Sequence, residues 1–199
     1  MIKDLPSCYQ PSVEEVQRYI EQWNGLENYV NQERALAYLF TELCPANERL
    51  EQILLKIAAL NDFYSTNIFS VHTVAQHFMS INIDTRLQRE DDTLVDDLSW
   101  VTMSDGKKRH FFSFATKFCS HHKPLAYPIY DNYVGNVLKY FRRRDKFSEF
   151  SNKDLTHYPT FKQIVSDFRE HYGLAQFNFK EIDRYLWQLG KGYYKKSPS

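Results

Sequence analysis

Glycine and proline are scarce in this chain, with six and seven in 199 residues. A protein of many short strands needs more turn residues than that, so helices joined by few loops are expected. Cysteine is scarcer still. Cys8, Cys44 and Cys119 form an odd set with no C-x-x-C pair, which argues against a disulfide framework or a cysteine-rich zinc site. Reduced thiols are the simplest reading. Net charge is absent, because 25 basic residues balance 25 acidic ones. No global field therefore draws the chain to nucleic acid or membrane, and any electrostatic footprint must be local. No run approaches the roughly 18 apolar residues of a membrane span. The opening stretch MIKDLPSCYQPSVEE has no apolar signal core. A cytoplasmic protein with no membrane partner is expected.

What is abundant is aromatic: fourteen Tyr, fifteen Phe and three Trp, within a hydrophobic fraction of 43%. A disordered chain would not carry them. The length suits a single compact domain over 1–199 or two closely packed lobes, and it suffices for a real core. Ser12 before VEEVQRYIEQW reads as a helix cap, with Glu15 as its capping-box partner. A second helix is expected over about 28–43, stopped before Pro45. A third is expected over about 47–60, where Ile53, Leu54, Ile57 and Leu60 make an apolar stripe. Shorter helices are expected over 70–78 and around Leu94–Val101. Further helices are expected over 107–120, 131–143, 160–171 and 179–189. No strand pair shows convincing alternation. The chain reads as all-α with nine or ten helices. The two lobes would cover about 45–100 and about 101–150, with the N- and C-terminal helices packed together.

Charge is unevenly spread. Residues 84–99 hold six acids against two arginines, whereas 101–146 hold ten bases against three acids. Such a basic segment in a neutral protein can face phosphates, or it can be a solvated helix surface.

The most informative stretch is Tyr127-Pro-Ile-Tyr-Asp131-Asn-Tyr-Val134-Gly-Asn-Val137-Leu138. Pro128 fixes an extended approach, and Asp131 then opens a helix whose buried stripe is Val134, Val137, Leu138 and Phe141. A carboxylate there caps free amides and is held by the helix dipole. A fixed anion can stabilise positive charge developing on a sugar ring or activate a water. It can equally be an ordinary helix cap.

This P-I-x-D-x-x-V-x-x-V-L pattern resembles the segment that carries the catalytic aspartate of helix-hairpin-helix DNA glycosylases, especially the adenine-removing branch. The strings LNDFYSTNI, SFATKFCSHH, YPIYDNYV and IDRYLWQLGK are similar to a bacterial family that includes anti-phage glycosylases acting on modified bases. The resemblance implies a two-lobed helical glycosylase-like fold with a DNA-binding cleft. It implies double-stranded DNA as partner, including phage DNA with modified bases, and no cofactor. Asp131 would stand near the anomeric carbon of a flipped nucleotide. Where the family's hairpin reads L-P-G-V-G, this chain has Thr102-Met-Ser-Asp-Gly106, a degenerate hairpin. Gly106, Lys107, Lys108 and Arg109, with Lys117, would then meet the DNA backbone. Lys107, Lys108 or Lys117 would be the nucleophile of a bifunctional enzyme. The closer match to the branch without that lysine implies plain hydrolysis.

Asn61, at the end of the third helix, would fill the gap left by a flipped base, and Tyr64 would supply a stacking wall. Helix termination by Asn61 and core packing by Tyr64 are the plainer roles. Tyr130, His121 and His122 are further pocket candidates, with the His pair in the loop before Asp131. Cys119-x-His-His invites zinc, but a structural site needs four ligands and no second cluster accompanies it, so no metal is expected. Two rival functions remain. One is a non-catalytic DNA-binding protein on the same scaffold. The other is a helical RNA nuclease, which needs an R-x4-H pair that Arg18 and Arg34 lack.

Overall fold

The computed structural model describes residues 5–194. The chain is mainly helical and divides into two compact units. One comprises residues 1–27 and 130–199, the other residues 28–129. The chain thus leaves the first unit, builds the second whole, and returns. The observed division differs from one near residue 100, because the helix spanning 112–122 packs on earlier helices of its own unit. Among the described residues no helix is long and apolar enough to cross a membrane.

The first unit contains α1 (Val13–Asn24), α8 (Asn132–Asp145), α9 (Tyr158–His171) and α10 (Phe179–Tyr193). Ser12 caps α1 by accepting from the Glu15 amide at 3.2 Å. Asn178 and Glu181 form a full capping box on α10. α1 lies against α10 through Tyr19 on Tyr185 and Trp23 on Trp187, with ring centroids 5.4 and 5.8 Å apart. The stripe Val134, Val137, Leu138 and Phe141 is buried, and Phe141 meets Phe168 of α9 at 5.6 Å. The segment before α1 is tied down by Tyr140, which donates to the Pro6 carbonyl, and by Arg144, which donates to the Ser7 carbonyl.

At Gly190 the backbone of α10 comes close against Tyr133 of α8. A Cβ there would lie 2.7 Å from Tyr133 Cβ and 2.8 Å from the Tyr133 carbonyl oxygen. Alanine normally favours a helix over glycine by about 1 kcal/mol. Here backbone stands in the way, so Gly190→Ala is expected to destabilise by about 1–3 kcal/mol. Urea melts of the two proteins would measure it, and a Gly190→Ala variant as stable as the parent would contradict this packing.

The second unit contains α2 (Glu27–Tyr38, its first residue at the unit boundary), α3 (Leu50–Tyr64), α4 (Val71–Met79), α5 (Ile83–Gln88), α6 (Thr93–Ser99) and α7 (Phe112–His122). α2 does not run as an α-helix to Leu43. Leu39–Leu43 is a π-helical turn closed by the Cys44 amide on the Leu39 carbonyl, which buries Phe40. The core is Ile53, Ile57 and Leu60 of α3, Phe78 of α4, Leu94 and Leu98 of α6, and Phe114 and Phe118 of α7. Phe118 stands edge-on to Phe78 at 4.9 Å. α5 was not expected from the sequence, because six residues carry only Ile83 and Leu87 as an apolar pair. Two acids of the acidic segment share one arginine. Arg86 bridges Asp91 and Asp97, each at 2.7 Å.

The expected helix over 107–120 begins only at Phe112. Before it stands a hairpin of β1 (Trp100–Thr102) and β2 (Lys108–His110), antiparallel, with Trp100 opposite His110 and Thr102 opposite Lys108. The reason is turn chemistry. Gly106 takes φ +75, the Gly106 amide reaches the Met103 carbonyl, and Met103 donates to the Lys107 carbonyl at 2.9 Å. The Asp105 carboxylate accepts from the Lys107 amide. A three-residue loop with glycine in the left-handed region closes hairpins of this kind. Val101 points into the core, fully buried.

Candidate functional site

Asp131 is the N-cap of α8. Its backbone is extended (φ -144, ψ 176) and its side chain accepts from the Val134 amide at 2.8 Å. Pro128 and the extended residues before the cap set that entry, as X-Pro segments do. The carboxylate is part-buried and belongs to the first unit. Tyr130 lies beside it. Its ring packs on the bare α-carbon of Gly135 and stands edge-on to Phe161 at 5.5 Å. Burial, then the negative charge of Asp131, pushes the Tyr130 phenol above its ordinary range. The phenol therefore stays protonated and able to donate near neutral pH.

Asn61 falls in the second unit, and its side chain is engaged locally. Its Oδ1 accepts from the Ile68 amide at 2.8 Å and the Thr66 hydroxyl at 2.9 Å, and its Nδ2 donates to the Ile68 carbonyl at 3.1 Å. It clamps the loop that follows α3. Tyr64 closes α3 and hydrogen bonds through its hydroxyl to His121 Nε2 at 3.0 Å. His121 and His122 do not lie in a loop. They are the last residues of α7, and His121 is buried against Phe40. Lys117 is not a surface lysine either. It is 5% exposed, donates to the Ser113 hydroxyl at 2.6 Å and the Ser113 carbonyl at 3.2 Å, and faces the Tyr64 ring at 5.2 Å. Gly106, Lys107, Lys108 and Arg109 are exposed on the hairpin. Among the described residues no group of three or more His, Cys, Asp or Glu is placed to hold a metal ion.

A polar cluster that the sequence reading missed lies in the same unit. Lys56 is fully buried on α3, and its ammonium donates to the carbonyls of Cys44 and Ala46 and to Asn47 Oδ1, at 3.1, 2.8 and 2.5 Å. Asn47 passes the contact on. Its amide N–H and Nδ2 both donate to the Asp84 carboxylate, at 2.8 and 2.5 Å. The detectable signal was a lysine at the second position of the stripe Ile53, Lys56, Ile57, Leu60, where an apolar residue belongs. His122 Nε2 stands 3.2 Å from Asn47 Nδ2 and 3.5 Å from Lys56 Nζ. Both neighbours are donors, so Nε2 must accept and the proton must sit on Nδ1. Asn47 and Asp84 also form one wall of an open hollow of about 460 Å³.

Burial, then the Lys56 and Lys123 charges, holds His122 down to about 3. The unfolded chain takes up this proton near 6.5, whereas the native protein refuses it until about 3. Stability is therefore expected to fall as pH drops from 6.5 toward 3. His122→Gln, which keeps an acceptor without a titratable ring, is expected to flatten that acid limb. Equal acid limbs in the two proteins would show that His122 does not govern it.

A family match falls mainly on the second unit. The model of the HI_0787_N family, an N-terminal domain, matches residues 15–126. That range contains Lys56, Asn47, Asp84 and His122 and stops short of Asp131. An uncharacterized protein of Haemophilus influenzae is 50% identical over 149 residues, covering 74% of this chain and 71% of the relative. No solved structure matches. More than half of the chain is thus matched, and the chain belongs to the HI_0787_N N-terminal domain family.

Proposed function

We propose that this protein is a monofunctional DNA glycosylase, with Asp131 as its catalytic residue. The observation that carries the reading is the Asp131 N-cap: a carboxylate held in one orientation by the Val134 amide at the start of α8. The helix dipole favours its anionic form. In the reaction the bond between C1′ of the sugar and the base nitrogen breaks, and its electron pair leaves with the base. Asp131 stabilises the positive charge that develops on the sugar and orients a water. The water oxygen bonds to C1′, and its proton ends on the released base. An abasic site remains. Tyr130, next to Asp131 in the chain and protonated, is a candidate hydrogen-bond donor for the same substrate. A modified base of phage DNA is the substrate implied by the wider resemblance.

The second reading is DNA binding without chemistry. It is favoured by Asn61, whose amide is already spent on its own loop, and by the β-hairpin that stands where the resemblance implied a degenerate helix-hairpin-helix. Incubation with plain and modified phage DNA, followed by detection of aldehydic abasic sites and free bases, separates the two. Aldehydes support the glycosylase. Shifted but intact DNA supports the binder.

A further inference from the structure

We infer that the hairpin of residues 100–110 is a docking platform for an unpaired DNA strand, with the Trp100–His110 ring pair stacking on a base and the turn lysines meeting the phosphates. The proposal rests on the DNA reading above and names which form of DNA this element takes.

Alternation along the two strands sorts the hairpin into two faces. Val101 is buried, and Trp100, Thr102, Lys108 and His110 share the opposite face. There the Trp100 and His110 rings lie parallel, 4.0 Å apart and within 5°. Trp100 is 51% exposed even so. The indole is thus held by the imidazole along one side while about half of its surface stays open to a further ring. Burial lowers the His110 pKa, with partial compensation from Asp96, so the imidazole is neutral and serves as a second ring rather than a charge. Lys108, two residues before His110, shares that face, whereas Lys107 and Arg109 alternate to the other side at the hairpin's tip, and all three are exposed.

The turn that presents these residues is fixed by Gly106 and the Asp105 carboxylate. An aromatic platform beside a short run of cations matches the two repeating parts of a single strand, its bases and its phosphodiesters. Charge complementarity selects a polyanion over an apolar partner. Base stacking selects an unpaired strand, whose rings are accessible, over an intact duplex, whose rings are already stacked.

The two contributions separate by salt. Binding of single-stranded oligo(dT) of about 12 nucleotides is measured by anisotropy across a salt series. Wild type is compared with Trp100→Ala, Trp100→Phe and the triple variant Lys107→Ser, Lys108→Ser, Arg109→Ser. Trp100→Ala is expected to weaken binding roughly 10-fold at every salt concentration without changing the slope. Trp100→Phe should recover most of that loss. The triple variant should reduce the salt slope by about 0.7 per lost phosphate contact, up to about 2. A matched blunt duplex should bind more weakly and be indifferent to Trp100. Thermal melts confirm that each variant is folded. Unchanged affinity and slope in Trp100→Ala and the triple variant would overturn the platform, as would duplex binding that needs Trp100 as much as the single strand does. Strand binding that depends on Trp100, with no abasic sites from any substrate, would support the platform and overturn the glycosylase instead. Base release with hairpin variants as active and as tightly bound as wild type would do the reverse.

Discussion

Asp131→Asn is expected to fold and to bind DNA as the parent does, and to lose base release by a factor on the order of 10²–10³ or more. Asparagine keeps the size of the side chain and can still accept from the Val134 amide, so the cap survives with little cost in stability. What disappears is the negative charge. With no carboxylate, the sugar cation is unsupported and the water is poorly directed. Lys117 gives no ready substitute, since its ammonium is buried on Ser113 and the Tyr64 ring. The measurement is abasic-site formation in matched preparations after thermal melts. Normal excision by folded Asp131→Asn would reduce the motif to an ordinary cap. Asn61→Ala, by contrast, is expected to loosen the loop over 61–68 before it affects any base.

Replacing Lys56 should produce the largest loss of stability. Lys56→Met fills nearly the same space but strands three acceptors, the carbonyls of Cys44 and Ala46 and the Asn47 side chain. At roughly 1 kcal/mol or more for each orphaned group, the cost is about 3–5 kcal/mol. The same lysine shapes the alkaline side of the stability curve. Burial lowers it to about 8, with Asp84 and Cys44 opposing, against an ordinary value of 10.5. Between these values the unfolded chain holds a proton that the native protein has released, so wild-type stability rises with pH across that window. Tyr127, Tyr172 and Tyr185 act in the opposite sense, because burial raises each of them above 10.0. Their contribution is lost as pH climbs past 10, and the curve turns over. Urea melts between pH 7 and 11 should show the rise in wild type and none in Lys56→Met. A rise that persists in the variant would assign it to another group.

The helices were legible wherever a long apolar stripe coincided with a cap. Ser12, and Asp131 with its stripe, fixed α1 and α8 to within a residue or two, although the Glu15 carboxylate turns to Arg18 and Tyr9 and closes no capping box. The hairpin was misread because the bases and aromatics of KKRHFF also suit a helix. The Asp105-Gly106 pair was the better guide, since a left-handed glycine shortly before a β-paired position closes a turn rather than opening a helix. The site was legible only in part. The cap position of Asp131 was legible from Pro128 and the stripe that follows. Lys56 showed only as a lysine breaking an apolar stripe, because Asp84 and His122, which complete its cluster, come from distant points of the chain. The surface placing of Lys117 failed for a related reason, since spacing along α7 does not say which face is covered.

The insertion of one unit within the other has a consequence for the order in which the protein is made. All of residues 28–129 have been synthesised once the ribosome passes residue 129, so the Lys56 cluster and the core around Phe118 can close while the rest of the chain is still emerging. The first unit has no such opportunity. α1 emerges among the earliest segments, yet its partner α10 is among the last to appear. Until then the apolar face of α1, Val16 with Tyr19 and Trp23, waits uncovered. A nascent chain in which residue 129 has cleared the ribosomal exit tunnel but α10 has not should therefore carry one finished unit and one exposed helix, a form prone to capture by a chaperone.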